Sequence, residues 1–260
     1  MTRACAAALA LLALIVCAGR PAMAERLVAS LSMHRVQITS SFTGTELVLF
    51  GTVEREGASA PRSTSYDIVA TVVGPRQTLV TRRKERVFGV WVNTRSRSFV
   101  DVPSYLATLS TRPLDAITNA DALRRLQLGL AHTVLPQRIG TDIADVVPDD
   151  AFRTAFLRLK MDHGLYVEGS NAVTFLTPTL FRASIPLPAE VPVGIYEVDV
   201  KLFAQGAMIA RTNSAFEIVK VGFEQFVVSA ARDYGVLYGI ATAAMALMTG
   251  WLASVAFRRD

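Results

Sequence analysis

The chain has 260 residues and a formal charge of +5, from 27 Lys and Arg against 22 Asp and Glu. So small an excess does not point to nucleic acid, while the length allows one sizeable hydrophobic core. The hydrophobic share of 51% is raised by two long apolar runs, one near each end.

The first run opens with Arg3, continues from Ala4 to Ala18 and closes on Ala22-Met23-Ala24. This is the three-part pattern of a signal peptide, so residues 1–24 are expected to be removed and the mature chain to begin at Glu25. The competing possibility, a lipidated Cys17, is disfavoured because the bulky Val16 stands where such sites take a small residue. Cys5 and Cys17 are the two cysteines, and both leave with the peptide, so a mature body without disulfides is expected. Arg3 and Arg20 leave as well, which lowers the charge from +5 to about +3.

Residues 25–110 form a first β block. Val36 to Thr39 and Thr45 to Val53 are rich in β-branched and apolar residues, with a Ser/Thr/Gly turn between them. A polar loop from Glu54 to Ser65 follows, and then a strand from Tyr66 to Val73 that Gly74-Pro75 stops. Thr78 to Val80 and Val87 to Val92 are expected as strands flanking the charged run 82–86, with Phe99 to Val102 closing the block. Short strands at this spacing point to a sandwich and not to β-α-β units.

Residues 111–165 read as a helical interlude. Leu123, Leu126 and Leu130 recur at helical spacing behind Thr118, Asn119 or Asp121 as a cap. A second helix begins at Pro148-Asp149-Asp150, carries the stripe Phe152, Phe156 and Leu159, and stops at Gly164. Residues 166–221 form a second β block. It contains Ala172 to Leu176, Leu180 to Ile185, and a connector stiffened by Pro186, Pro188 and Pro192. Its best strand is Gly194 to Phe203, where Tyr196, Val198, Val200 and Leu202 alternate with Glu197, Asp199 and Lys201. One face is expected in a core and the other in water, with Gln205-Gly206 turning the chain into Met208 to Val219. The body as a whole is expected to be mainly β, an antiparallel, immunoglobulin-like sandwich interrupted by helices.

After a juxtamembrane connector, 222–233, the run from Tyr234 to Phe257 has no charged residue and is long enough to cross a hydrocarbon core as a helix. Arg258-Arg259-Asp260 follow as a short tail. An exported N-terminus with one late span places the body outside the cytoplasm and the tail inside, in agreement with the positive-inside rule. Tyr234, Tyr238 and Trp251 suit interfacial anchoring, and the absence of an intramembrane charge argues against an ion path through this helix.

Several separated segments, GPRQTLVTRRKERVFGVWVN (Gly74 to Asn93), STRPL (Ser110 to Leu114), PLPAEVPVGIYEVDVKLF (Pro186 to Phe203) and Lys220 to Arg259, together resemble the alphaproteobacterial putative transmembrane protein family. The resemblance implies a signal peptide, an extracytoplasmic body and one C-terminal span. It further implies company with permeases of the sulfite-exporter type. It supplies no functional residues.

The motifs of nucleophilic, metal and nucleotide sites are missing from the sequence, and His34, His132 and His163 fall in three distant segments. No enzyme activity, cofactor or metal is therefore expected. Three features call for explanation. Arg76, Arg82, Arg83, Lys84, Arg86, Arg95 and Arg97 are opposed within their segment by Glu85 alone, and Arg forks suit anionic oxygens on a ligand, a lipid headgroup or an acidic partner. A solvated hairpin whose charges guard an edge strand is the simpler account. Trp91 lies in a stretch apolar on both faces and is expected in a core. In the span, Gly235, Gly239 and Ala243 lie four apart and would let another helix approach closely; the abundance of Gly and Ala in spans explains them equally well. The expected function is that of a non-enzymatic, single-pass inner-membrane protein with a periplasmic body. It would serve a polytopic membrane partner such as a permease or associate with itself through the span. The alternative is a tethered binding module for an anionic ligand.

Overall fold

The computed structural model describes residues 25–55, 65–139, 142–145, 150–222, 227–228 and 231–256. The expected signal peptide, the loop carrying Gly57 and Pro61, the Pro148-Asp149 start signal and the tail lie outside the described residues. The strands are Glu25–Leu31 (β1), Arg35–Ile38 (β2), Gly44–Arg55 (β3), Tyr66–Val73 (β4), Arg76–Val87 (β5), Val90–Pro103 (β6) and Leu106–Ser110 (β7). They continue with Pro136–Ile139 (β8), Asp142–Asp145 (β9), Tyr166–Gly169 (β10), Val173–Phe175 (β11), Leu180–Pro188 (β12), Gly194–Ala204 (β13) and Ala207–Lys220 (β14).

Two sheets make the sandwich. One has the order β1-β3-β12-β11 and the other β10-β7-β4-β13-β14-β2. Their inner faces share one core, in which Leu47, Leu49, Ile185 and Leu187 from the first sheet meet Ile68, Val72, Val198 and Val200 from the second. Burying each such side chain is worth about 1.5–3 kcal/mol, so this layer dominates the stability of the body. The early and late β segments interleave, since β3 pairs with β12 and β4 with β13, both antiparallel. The mainly β, antiparallel architecture expected from the sequence is thus the one the chain adopts, with parallel pairing at β7–β10 and β2–β14. Gly51 of β3 stands opposite Phe181 of β12, and the ring fills the space where a Cβ at 51 would come 2.2 Å from its Cζ.

Several expectations require correction. β1 escaped notice because Arg26 and Ser30 interrupt its apolar residues. Pro186 and Pro188 sit inside β12, opposite Glu46 and Gly44, and do not form a connector. Outward-facing positions in β13 are not all in water: Lys201 is only 4% exposed. The first expected helix is short, Ala120–Arg125, followed by a single 3-10 turn at Leu130–His132, and a further helical turn, Leu114–Ile117, precedes its cap. Gln127 and Gly129 have positive φ there, which ends any regular helix. Asn119 is its cap, its side chain accepting from the amide of Ala122 at 2.8 Å. The second helix, Ala151–Asp162, is capped by Asp150, whose Oδ2 accepts from the Arg153 amide at 3.0 Å. Phe156 is buried and Phe152 half-buried, but Leu159 is exposed. Between these helices the interlude also carries β8 and β9, which extend a third sheet of order β5-β6-β8-β9.

Candidate functional site

The third sheet is built on the β5–β6 hairpin, and this hairpin contains all seven residues of the basic cluster. β5 and β6 pair from Arg76 opposite Pro103 out to Val87 opposite Val90. At the root, Phe99 and Val102 pack with Phe156 and Tyr166, the Phe99 and Phe156 rings stacking at 4.3 Å. β8 joins only at Ser98 and Phe99. Beyond that point, among the described residues, β5 and β6 pair with each other alone. The outer part from Val80 to Val87 extends about 25 Å at the strand rise.

The charged run 82–86 is therefore itself strand, and the segment Val87 to Val92 is not one strand but two strand ends joined by a turn at Phe88-Gly89. Both turn residues have positive φ, 48° and 85°, which defines a type I′ turn. The Arg86 Nε donates to the Gly89 carbonyl at 3.3 Å and closes it. The sequence expectation for Trp91 fails here: it is 68% exposed, because among the described residues no second sheet or helix covers the end of the ribbon. Val87, Phe88, Val90 and Val92 are exposed beside it.

Cross-strand partners share a face. Arg83, Glu85 and Val87 face the same way as Arg95, Val92 and Val90, while Arg82, Lys84 and Arg86 share the opposite face with Ser96, Asn93 and Trp91. A register shift between Arg83 and Lys84 makes this possible, since Thr94 is left over as a bulge. Two of the seven basic residues belong to the root. Arg76 donates to the Asp101 carbonyl at 2.9 Å, and the Arg97 guanidinium lies 5.4 Å from the centre of the Phe152 ring. The other five stand on the projecting part, where the Arg83 Nε is 3.0 Å from Glu85.

Near the root, a cleft of about 650 Å³ is lined in part by Arg76, Glu197, Asp199, Lys201 and Arg211. Three of these charges satisfy one another. Asp199 accepts from the Lys201 Nζ through one oxygen and from the Arg211 Nε through the other, the latter at 2.7 Å. The hydrogen bond to Asp199 holds the Arg211 guanidinium above its usual pKa. Among the described residues, no three His, Cys, Asp or Glu side chains converge to hold a metal. His163 is exposed, with its Nδ1 2.8 Å from Glu190.

The apolar run near the end of the chain forms the helix Gly235–Ala256, whose 22 residues span about 33 Å, and its mean hydropathy is 1.6. Gly235, Gly239 and Ala243 follow one another at four-residue spacing along it, and a Cβ at Gly235 or Gly239 would meet nothing within 4 Å.

Sequence reasoning found the charges but missed the exposed apolar tip. The signal for it was Gly89, a turn residue inside the apolar run Val87 to Val92.

No curated protein matches this chain. A family model described as "Putative transmembrane protein (Alph_Pro_TM)" matches residues 26–259, nearly the whole of it, and agrees with the one long apolar helix found among the described residues. The chain belongs to this alphaproteobacterial family of transmembrane proteins.

Proposed function

We propose that this is a non-enzymatic, single-pass protein of the inner membrane, held by Gly235–Ala256, whose β body works at the periplasmic surface as an accessory to a polytopic membrane protein. A permease of the sulfite-exporter type is the partner that the family resemblance suggests. The observation that carries this proposal is the hairpin. The strongest concentration of positive charge and a cluster of exposed apolar side chains lie together on one projecting ribbon, on a body that the chain ties to an apolar helix. Such a ribbon is a device for contact, and contact is what an accessory protein supplies. Free binding of a small anion gains less support, because two of the cations lining the cleft, Lys201 and Arg211, already pair with Asp199.

The test is recovery of the full chain from membranes in mild detergent. A polytopic protein that co-purifies with the native chain, and not with a chain whose span is replaced by an unrelated apolar helix, supports the accessory role. Recovery of the chain alone under both conditions refutes it.

A further inference from the structure

The end of the hairpin is apolar on both faces. Val87, Val90 and Val92 point one way, Trp91 points the other, and Phe88 occupies the apex, all of them exposed. A ribbon of this kind cannot satisfy itself by lying on a flat partner surface, because its other face would stay in water. It needs surroundings that are apolar all round, which is what a bilayer offers.

Phe88 strengthens the case. It has φ +48° at the first central position of a type I′ turn, where Asn, Asp or Gly is favoured. A bulky residue there carries about 1–2 kcal/mol of backbone strain. Being exposed, Phe88 recovers none of this through packing within the body. The stability of the body alone gives no reason for a phenylalanine at this position, whereas an occupant outside the body does.

Behind the tip stands a collar of cations on both faces: Arg82, Lys84 and Arg86 on the side of Trp91, Arg83 and Arg95 on the side of the valines. These positions lie about 7–20 Å from the apex at the strand rise. Long cationic side chains can lay their stems along the tip and hold their charged ends at the headgroups. Each cation near an anionic surface contributes about 1 kcal/mol, and Trp is enriched at this level of a membrane. We propose that the tip enters the bilayer that holds the span, with Val87, Phe88, Val90, Trp91 and Val92 at the boundary of headgroups and acyl chains and the collar against anionic phospholipid. This proposal rests on the reading of the body as a membrane-surface module, and it leaves the span and the rest of the body to a protein partner.

Trp91 and Trp251 are the two tryptophans of the chain, so Trp251→Phe makes Trp91 the sole reporter. The full chain carrying this change is placed in nanodiscs of phosphatidylglycerol and phosphatidylcholine whose acyl chains are brominated. Trp91 emission should fall at least about twofold against unbrominated discs, as burial of about 5–10 Å requires, and should fall less in discs of phosphatidylcholine alone. Phe88→Asn installs a residue that the turn prefers, so the hairpin stays folded while the quenching is largely lost. Trp91 that is unquenched and open to iodide in anionic discs overturns the proposal, and equal quenching in neutral discs overturns its anionic part. Shielding of Trp91 that appears only when a membrane-protein fraction is added also overturns it, in favour of a protein groove. Because purified chain and lipid suffice, failure here is distinct from failure to co-purify a partner.

Discussion

Arg83 and Arg95 stand directly opposite each other in the β5–β6 ladder. Like charges in this relationship destabilise a hairpin, and Glu85, 3.0 Å from the Arg83 Nε, offsets only part of the repulsion. Arg95→Thr should therefore stabilise the isolated ribbon by about 0.2–1 kcal/mol while weakening its hold on an anionic surface. Slower hydrogen exchange of the amides around Arg83, measured on the full chain in detergent, is the expected result. Faster exchange would mean that Arg95 supports the ribbon in some other way.

Sidedness gives a second prediction. A reporter active only in the periplasm should work when fused after Lys220 and be silent when fused after Asp260. The reverse pattern would place the body in the cytoplasm and remove the ground for a periplasmic role.

In the span, association between helices cannot draw on the hydrophobic effect, because lipid tails are as apolar as the helix itself; close packing must supply it. Gly239→Leu leaves the segment as able to insert but raises a bulky side chain in the middle of the strip formed by Gly235, Gly239 and Ala243. Association in the membrane, with a partner or with a second copy, should fall while insertion persists. If Gly235→Leu together with Gly239→Leu changes neither, the helix is an anchor alone.

Three buried tyrosines make the body sensitive to alkali. Tyr105, Tyr166 and Tyr196 each donate a hydrogen bond to a proline carbonyl, of Pro186, Pro103 and Pro192 respectively. Burial pushes all three phenols well above their usual pKa. The unfolded chain ionises them from pH about 10 upward while the folded chain keeps its protons, so their contribution is full below that pH and is lost as pH rises above it. The loss should amount to about 1.4 kcal/mol per pH unit for each tyrosine, or about 4 kcal/mol together. Tyrosinate absorbance should show a late component that arrives with the loss of circular dichroism. A titration that ends with the β signal intact would contradict this.

The sequence showed the sandwich wherever period-two alternation or a turn signal was strong. Tyr66 to Val73 and the hairpin around Gln205-Gly206 appear in the structure nearly as expected, because one face of each is apolar and the register leaves no choice. The hairpin site was only half legible. Its cations were plain, but Val87 to Val92 has the composition of a core strand, and composition does not reveal whether another layer covers it. Trp91 was misplaced for that reason. Pro186 and Pro188 were misplaced for another: a proline can enter a ladder where its missing donor is not needed, and this depends on the partner strand. The salt link of Lys201 to Asp199 is set by two residues on one strand face, yet the burial of Lys201 is a property of the tertiary fold.

The strand that leads out of the body toward the span is β14, and its last four residues pair with β2 on one edge, the first two of them with β13 on the other as well. Gly194 and its neighbours in β13 flank one edge, while β2 runs parallel along the other from Glu217 opposite Arg35 to Lys220 opposite Ile38. The Arg35 guanidinium also grips Glu217, and the Val221 amide donates to the Ile38 carbonyl at 2.8 Å. A tug transmitted along the exit strand from the bilayer thus meets two ladders lying parallel to the pull. Their hydrogen bonds carry the load together, in shear, and do not peel away one after another. The body is thereby fastened to the chain that leads to the apolar helix as a mechanical clamp, able to bear tension along that chain.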